Sequence, residues 1–394
     1  MSRQLTRRTA LISGLGLAAV PLLRPGPAGA ALPPLRLGVL TSQAAASADY
    51  GRQLLVGVQQ RVAALAGTGG HGMAAPIELL TQDIGQTAST AREAVSRLLD
   101  QGVHGIVGPA VGWLSAAAAA EADRACTPIV LPAIGAAPDL PYVFRSAPTD
   151  AQVHRALFTA MTGAGRDTAG ILRLAPRDTP ALREAVDAEA AARGARVAAT
   201  EAAPADATGL ADRVAALLAV TPGALVLDLP AALAGQAAGA ARAASWTGPI
   251  LTTPDAVLPA FQQAAGPAAE GVQAVSPWLP VAGAAAEALP QLMAVRRFAE
   301  RLLGAGGQAD PVAGYAADAV TLLNQAFLGH RDRRTAREQL ESACCIGVTG
   351  VYNMMPDDHV GLTDDALTMV TSRSGRWTTI TPEPPAATPP PPAP

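Results

Sequence analysis

The chain has 394 residues, and 29 basic residues against 32 acidic residues give it a formal net charge of −3. No lysine occurs at any position, so arginine supplies the fixed positive charge. A mildly acidic chain lacks the basic surface that nucleic-acid binding requires, and nucleic acid is not an expected partner. The length favours two domains, whose cores must consist mainly of aliphatic residues because aromatics make up only 3%.

The first 30 residues have the pattern of an export signal. Arg7 and Arg8 precede an apolar run at 10–23, and a small-residue site follows at 28–30. The arginine pair resembles a twin-arginine signal, although Ala10 stands where that signal prefers Phe. Removal of residues 1–30 would take away four arginines and no acid, moving the formal charge from −3 to −7. The run is short for a membrane span and no cysteine follows it, so we expect a soluble periplasmic protein without membrane insertion or lipid anchor.

The first part of the remaining chain alternates predicted strands with predicted helices. In order, the patterns predict a strand at 35–40, a helix at 50–65, a strand at 76–82, a helix at 87–101, a strand at 103–107, a helix capped by Ser115, and a strand at 127–131. The glycine-rich stretch at 67–72 follows a helix and lacks a Lys-Ser/Thr pair, which indicates a turn and not a phosphate loop. The alternation predicts a parallel sheet with right-handed crossovers.

The stretch from Gln101 to Gly135 is where a ligand is expected. Its two predicted strands end in turns of small residues, and ligands of open parallel sheets bind outside the carboxyl ends of the strands. A helix that begins there also offers backbone N–H groups to an anion. The ligand cleft is therefore predicted at 108–115 and 132–136.

The alternation continues as a second doubly wound unit. A strand at 143–152 leaves the first unit through Pro148, and Asp150 can cap the helix that follows. The patterns then predict helices at 151–163, 180–193, 209–219 and 231–244 and strands at 169–174, 196–200, 224–229, 250–252 and 271–276. Helices at 286–303, 315–328 and 334–343 precede hairpin strands at 367–370 and 376–380. The proline-rich residues 381–394 are expected to form an extended, mobile tail.

Three cysteines leave two interpretations open. In an oxidising compartment Cys126 could bridge to Cys344 or Cys345, and the alternative is three free thiols. No group of residues has metal-ligand spacing, so neither a metal nor another cofactor is expected.

Four stretches resemble the type I periplasmic binding proteins of the leucine/isoleucine/valine group, the receptors of branched-chain amino acid and amide ABC transporters. They are RLGVLTSQAAASADYGRQLLVGVQQRV (36–62), LLDQGVHGIVGPAV (98–111), FRSAPTDAQ (144–152) and GYAADAVTLLNQA (314–326). The segment at 347–361 fits the closing segment of that family. The resemblance implies an α/β fold with two doubly wound parallel-sheet lobes joined by a three-crossing hinge. Lobe 1 would be 35–148 plus 273–350, and lobe 2 would be 149–272 plus 351–380; the two would close around a ligand.

The same resemblance implies binding without catalysis. A monomeric solute-binding protein would capture a small molecule and present it to an ABC permease in the inner membrane. The alternative is a periplasmic ligand sensor or accessory protein of the same fold, or a chain that has lost ligand binding. An enzyme is not expected, because the chain has no Gly-x-Ser-x-Gly elbow and no Ser, His and Asp set that the fold would unite.

The family's pocket can be carried over only residue by residue, and two of its hydroxyl groups are missing. In the first pocket turn the hydroxyl position is replaced by Gly112 and Trp113, and in the second turn Ala133 is retained while Gly135 replaces the hydroxyl residue. By resemblance, Asp255 corresponds to the acid that meets a ligand ammonium. The predicted ligand-binding set is Tyr50, Gly112, Trp113, Ala133, Gly135, Asp178 and Asp255.

The missing hydroxyls argue against classical amino acid binding, because each lost donor to a carboxylate weakens binding by about 1.5–3 kcal/mol. Backbone N–H groups at Gly112 could still bind an anion. Trp113 could instead form a flat pocket for an aromatic or amide ligand, or simply pack in the core. Asp178 and Asp255 could equally mark helix starts.

Overall fold

The computed structural model describes residues 32–44, 47–67, 76–135 and 138–380. The export signal, the proline-rich tail and all but the first residue of the glycine-rich stretch lie outside the described residues. The strands are β1 Leu35–Thr41, β2 Ile77–Asp83, β3 Gly105–Val107, β4 Ile129–Leu131, β5 Val143–Arg145, β6 Thr168–Leu174, β7 Arg196–Ala203, β8 Ala224–Asp228, β9 Ile250–Thr252, β10 Gln273–Pro277, β11 Cys344–Ile346, β12 Val351–Asn353, β13 Leu367–Arg373 and β14 Arg376–Thr379. The helices are α1 Ala48–Gly67, α2 Ala88–Asp100, α3 Gly112–Arg124, α4 Asp150–Gly163, α5 Pro180–Ala191, α6 Leu210–Ala219, α7 Ala231–Ala243, α8 Pro259–Ala265, α9 Leu292–Gly304, α10 Pro311–Ala326 and α11 Arg333–Leu340.

The first sheet has the strand order β2-β1-β3-β4-β5, and all of its pairings are parallel. Helix α10 packs against α1 and against strands β3 and β4, and almost every one of its residues is buried. The carboxylate of Asp310 accepts a hydrogen bond from the N–H of Ala313 at 3.0 Å and so caps this helix, in which Pro311 is the first residue. Helix α10 therefore joins the first lobe although it lies far along the chain.

The second sheet has the order β14-β13-β10-β9-β8-β6-β7. Its five strands from β10 to β7 pair in parallel, whereas β13 and β14 add an antiparallel edge. Strands β11 and β12 form a separate antiparallel pair. These two largely parallel sheets confirm the predicted α/β fold.

The chain passes between the two lobes three times: after β5, after β10, where α10 returns to the first sheet, and after β12, where β13 rejoins the second sheet. One predicted boundary differs from the sheet pairing. The sequence placed residue 273 at the return to lobe 1, but Gln273–Pro277 pairs with β9 and β13 of the second sheet. The chain leaves that sheet only after Pro277, since Ala274–Pro277 are buried between β9 and β13.

Two predicted helix caps are wrong. Ser115 lies inside α3, where its hydroxyl donates to the carbonyl oxygen of Val111 at 3.1 Å, and the helix begins at Gly112 without a side-chain cap. At α4 the cap is Thr149, whose side chain forms a reciprocal capping box with Gln152. Asp150 is thereby free to bind elsewhere.

The three cysteines are free thiols, so the disulfide that the sequence left open is not present. Cys345 is buried, and burial raises the pKa of its thiol to about 12. Among the described residues, no helix combines the length and apolar character that a membrane span requires.

Candidate ligand cleft

Two glycines bring the turns after β3 and β4 into close contact. A Cβ atom on Gly112 would lie 2.0 Å from the carbonyl oxygen of Ile134, closer than any side chain allows. Gly135 has φ +138°, a conformation that only glycine adopts readily, and a Cβ there would lie 3.2 Å from the Cα of Gly112. The loss of the hydroxyl residue at 135 therefore has a backbone cause, and the predicted pair lies together at the carboxyl ends of two strands.

Two aromatic side chains stand next to this pair. The rings of Tyr50 and Trp113 meet edge to face, with centroids 6.5 Å apart and an interplanar angle of 86°. The Tyr50 hydroxyl donates to the carbonyl oxygen of Asp255 at 3.3 Å. Tyr50 belongs to α1 of the first lobe and Asp255 follows β9 of the second, so this bond joins the two lobes. Burial raises the pKa of Tyr50 well above its usual value, which keeps the phenol neutral.

A cavity of about 630 Å³ lies beyond Trp113. Its lining comes from both lobes and from the segment after β12; it includes Gly112, Trp113, Ala116, Gly135, Arg145, Asp150, Pro176, Arg177, Leu182 and residues 357–360. A smaller cavity of about 180 Å³ is lined by Tyr50, Trp113, Pro230 and Leu258 among others. Trp113 lines both cavities, so its side chain stands between the larger and the smaller part of the cleft.

A network of charges forms the floor of the cleft on the second lobe. Arg177 donates to Asp228 at 2.8 Å and to Asp255 at 3.3 Å, and it also pairs with Asp150. Arg173 donates to the other oxygen of Asp228 at 2.8 Å. Arg173 and Asp228 are register partners on the neighbouring strands β6 and β8, near the ends of both strands. Two guanidinium groups thus share one fully buried carboxylate.

The network shifts the pKa values of its members in a consistent way. Burial alone would raise the pKa of Asp228, but Arg177, and after it His154 and Arg173, outweigh burial and lower the value to about 2. Burial raises the pKa of Asp255 to about 7, against the opposing effect of Arg177. Burial lowers the pKa of His154, whose Nε2 lies 3.9 Å from Asp228, so its imidazole is neutral at pH 7. Asp228 is therefore the permanent anion of the network, and Asp255 is its titrating member.

The predicted site residues divide into two groups. Tyr50, Gly112, Trp113 and Gly135 line the two cavities. Ala133, Asp178 and Asp255 do not line either of these two cavities. Asp178 pairs with Arg183 and with Arg173, and the hydrogen bond from Arg183 lowers its pKa. Asp255 lies behind the guanidinium of Arg177, which takes the place that the resemblance gave to a ligand ammonium.

Sequence reasoning missed Arg145, Asp150 and Arg177, which line the larger cavity. A signal for the network was present: Arg173 stands inside the apolar run ILRL and Asp228 ends the apolar run ALVLD. A charge inside a buried strand needs a partner, and neighbouring parallel strands supply it. Arg145 follows the apolar pair Val143 and Phe144 in the strand predicted at 143–152, but that strand was interpreted as the exit from the first unit and its charge was not assigned to the site.

Two α/β lobes with a cleft at the carboxyl ends of their strands are the architecture of the two-lobed periplasmic binding protein fold. The chain belongs to the periplasmic binding protein family, whose model matches residues 34–375. A search of curated proteins found no significant match.

Solved structures show the same fold at low sequence identity. An extracellular ligand-binding receptor from Rhodopseudomonas palustris is similar with a TM-score of 0.80 and 18% identity, over 88% of this chain and 99% of that one. A branched-chain amino acid transporter substrate-binding protein from Streptococcus pneumoniae, in complex with isoleucine, gives 0.74 and 19%, over 87% and 97%. A solute-binding protein of an ABC transporter from R. palustris, in complex with benzoate, gives 0.74 and 18%, over 87% and 94%. The family match and these similar folds together confirm the predicted resemblance to the leucine/isoleucine/valine group.

Proposed function

We propose that the protein is an exported solute-binding protein of an ABC transporter, which closes its two lobes around a small molecule and delivers it to a permease. One observation carries the proposal: a cavity of about 630 Å³ lies at the strand ends with a lining from both lobes. A cavity of that size can enclose a molecule of drug-like dimensions. The bound isoleucine and benzoate of the two transporter proteins named above support a ligand in the same size range.

The arrangement of the two lobes supports one motion in response to a ligand, the closure of the lobes about a hinge. Tyr50 contacts Asp255 across the cleft through one hydrogen bond of 3.3 Å. The three chain crossings are the natural positions for a hinge, and a ligand that contacts both lobes would favour the closed state by its differential affinity. A dissociation constant near micromolar corresponds to about −8 kcal/mol, which one buried ring and a few hydrogen bonds supply.

Thermal unfolding of the purified full chain against a panel of small carboxylates, amides and amino acids tests binding. A ligand at 100 times its dissociation constant adds about 2.7 kcal/mol of stability, and the midpoint rises by several degrees. Trp113→Ala should weaken binding of any hit, since Trp113 lines both cavities. An unchanged affinity in that variant would contradict the position of the cleft.

Delivery is tested separately with an ABC permease of the same organism in proteoliposomes. Addition of the ligand-loaded protein should raise ATP hydrolysis and ligand uptake, whereas the protein without ligand should do so less. Ligand binding without any effect on a permease would contradict transport and favour the sensor alternative.

A further inference from the structure

Most polar side chains that line the larger cavity are already engaged. Thr149 and Thr179 use their hydroxyl oxygens to cap the helices that follow them. Asp150 and Arg177 pair with each other, and Arg177 also holds two further carboxylates. These groups are therefore satisfied before a ligand enters.

Arg145 differs from these residues. It ends β5, its side chain is buried with 8% of the residue exposed, and it donates one hydrogen bond to the carbonyl oxygen of Gly135. Within the described part of the chain, no carboxylate forms an ion pair with it. Burial lowers the pKa of Arg145, and the more distant charge of Asp150 offsets this only in part. A guanidinium carries five donors in a planar fork that fits a carboxylate, and a buried cation without a counter-ion in direct contact is costly. An anionic ligand group would remove that cost.

A second set of donors lies next to this guanidinium. The carbonyl that Arg145 binds belongs to Gly135, which adjoins Gly112 at the first residue of α3. Helix α3 has 13 residues and no side-chain cap. The N–H of Leu114 donates to the carbonyl oxygen of Val111 at 3.0 Å, which leaves the N–H groups of Gly112 and Trp113 to an anion. Arg145 and the start of α3 thus flank the same turn, and both line the larger cavity.

Among the described residues that line the cavity, none is a comparable partner for an ammonium group. Asp255 lies behind Arg177, and Asp150 is paired with the same guanidinium. The remaining acids of the lining, Asp139, Asp357 and Asp358, are exposed at the mouth, where solvent and salt screen them. These acids would also repel a ligand that carries a second negative charge outside the pocket.

The rest of the lining is mostly apolar. It includes Trp113, Ala116, Pro138, Pro176, Leu182 and Ala185. Burial of an apolar ligand body against such a surface contributes about 25 cal/mol per Å².

We propose that the ligand is a monocarboxylate with an apolar body and no ammonium group, and that its carboxylate pairs with Arg145 beside the start of α3. This inference rests on the proposed function and specifies its substrate class. Arg177 acts as an internal replacement for the ammonium that an amino acid would bring. A guanidinium and backbone donors would then bind the carboxylate in place of the hydroxyl groups that the resemblance implies for the two pocket turns.

Calorimetric titration with matched compounds tests the substrate class. One series is 4-methylpentanoate, leucine, 4-methylpentanamide and 3-methylbutylamine; the other is 3-phenylpropanoate, phenylalanine, 3-phenylpropanamide and 2-phenylethylamine. In at least one series the carboxylate without an ammonium should bind tighter than each of its three counterparts by about tenfold or more. Tighter binding of the amino acid, amide or amine in both series would overturn the inference and leave the proposed function intact. Absence of binding by both carboxylates would also overturn the inference, while the broader panel and the permease assay would still decide the proposed function.

Substitution of Arg145 tests the residue. Arg145→Met should weaken carboxylate binding by about tenfold or more, and Arg145→Lys, which keeps the charge, should weaken it less. Arg166→Met, a change at an exposed arginine, is the matched control and should leave affinity unchanged. If Arg145→Met does not fold, the lysine variant retains the test, since its affinity should fall for the carboxylate and stay unchanged for the amide. Equal carboxylate affinity in the folded Arg145 variant and in the native chain would overturn the assignment.

Discussion

Asp228→Asn should be the most damaging single change in the cleft floor. Asp228 is fully buried and receives hydrogen bonds of 2.8 Å from both Arg173 and Arg177. Asparagine keeps the shape but removes the charge that both buried guanidinium groups require. The expected result is a large loss of stability, because two buried cations would lose their shared counter-ion.

The loss of stability in Asp228→Asn can be estimated in two ways. The pKa of Asp228 falls from its ordinary 3.8 to about 2, and at about 1.4 kcal/mol for each pKa unit this corresponds to about 2–3 kcal/mol of stability. Breaking a buried ion pair by removal of one partner costs about 3–5 kcal/mol. We therefore expect Asp228→Asn to lower the free energy of unfolding at pH 7 by about 3–5 kcal/mol. The two routes describe the same interaction and are not additive.

Urea unfolding followed by circular dichroism measures this loss at pH 7 and at lower pH. The folded pKa lies below the unfolded value, so the contribution of Asp228 is present above about pH 4 and is lost as the pH falls toward 2. The difference between native chain and variant should shrink over the same interval. Asp212→Asn, at an exposed position of α6, is the control and should change stability by less than about 0.5 kcal/mol. A similarly small effect of Asp228→Asn at pH 7 would refute the reasoning.

Three further predictions concern the rest of the cleft. Asp255 has a raised pKa of about 7, so its ionisation destabilises the fold as pH rises from about 4 to 7, and Asp255→Asn should flatten the dependence of the melting temperature on pH over that range. Gly112→Ala would place a Cβ 2.0 Å from the carbonyl oxygen of Ile134, so melting temperature and ligand affinity should both fall, whereas Gly239→Ala, with open space in α7, should stabilise by about 0.5–1 kcal/mol. Tyr50→Phe removes the 3.3 Å bond to Asp255 but keeps the ring beside Trp113, so the lobes should open and the radius of gyration in X-ray scattering should rise.

Each of these predictions has a result that would contradict it. An unchanged pH slope in Asp255→Asn would mean that another group titrates there. A stable Gly112→Ala with native affinity would show that the two turns do not need their close approach. An identical radius of gyration in Tyr50→Phe would show that this contact does not restrain the lobes.

The elements of the fold were largely predictable, because apolar runs and glycine or proline breaks are local signals. The strands at 35–40 and 224–229 agree with β1 and β8 to within one residue. The start of α9 was not predicted correctly. The predicted helix at 286–303 begins only at Leu292, after a 3₁₀ turn at Leu279–Ala284. Pro290 prevents a regular helix across that stretch, and its effect outweighs the favourable composition.

The site was only partly predictable. Gly112 and Gly135 follow from the rule that parallel strands bind ligands at their carboxyl ends. Thr149 caps α4, and Asp150 pairs instead with Arg177, which lies 27 residues further along the chain. Arg173 and Asp228 are 55 residues apart and meet only through strand register. Side-chain pairings at such separations depend on the folded sheet, and no local pattern encodes them.

The antiparallel edge of the second sheet has a consequence for the timing of folding. Strand β10 pairs on one side with β9 and on the other only with β13, whose residues 367–373 come almost at the end of the described chain. Until that segment has been synthesised, β10 presents a row of unpaired backbone groups, which is a template for misassociation. Helix α10 likewise reaches the first sheet long after β3 and β4 have been made. Neither lobe can be completed before these late segments have been made, so the final steps of folding depend on contacts of high sequence separation.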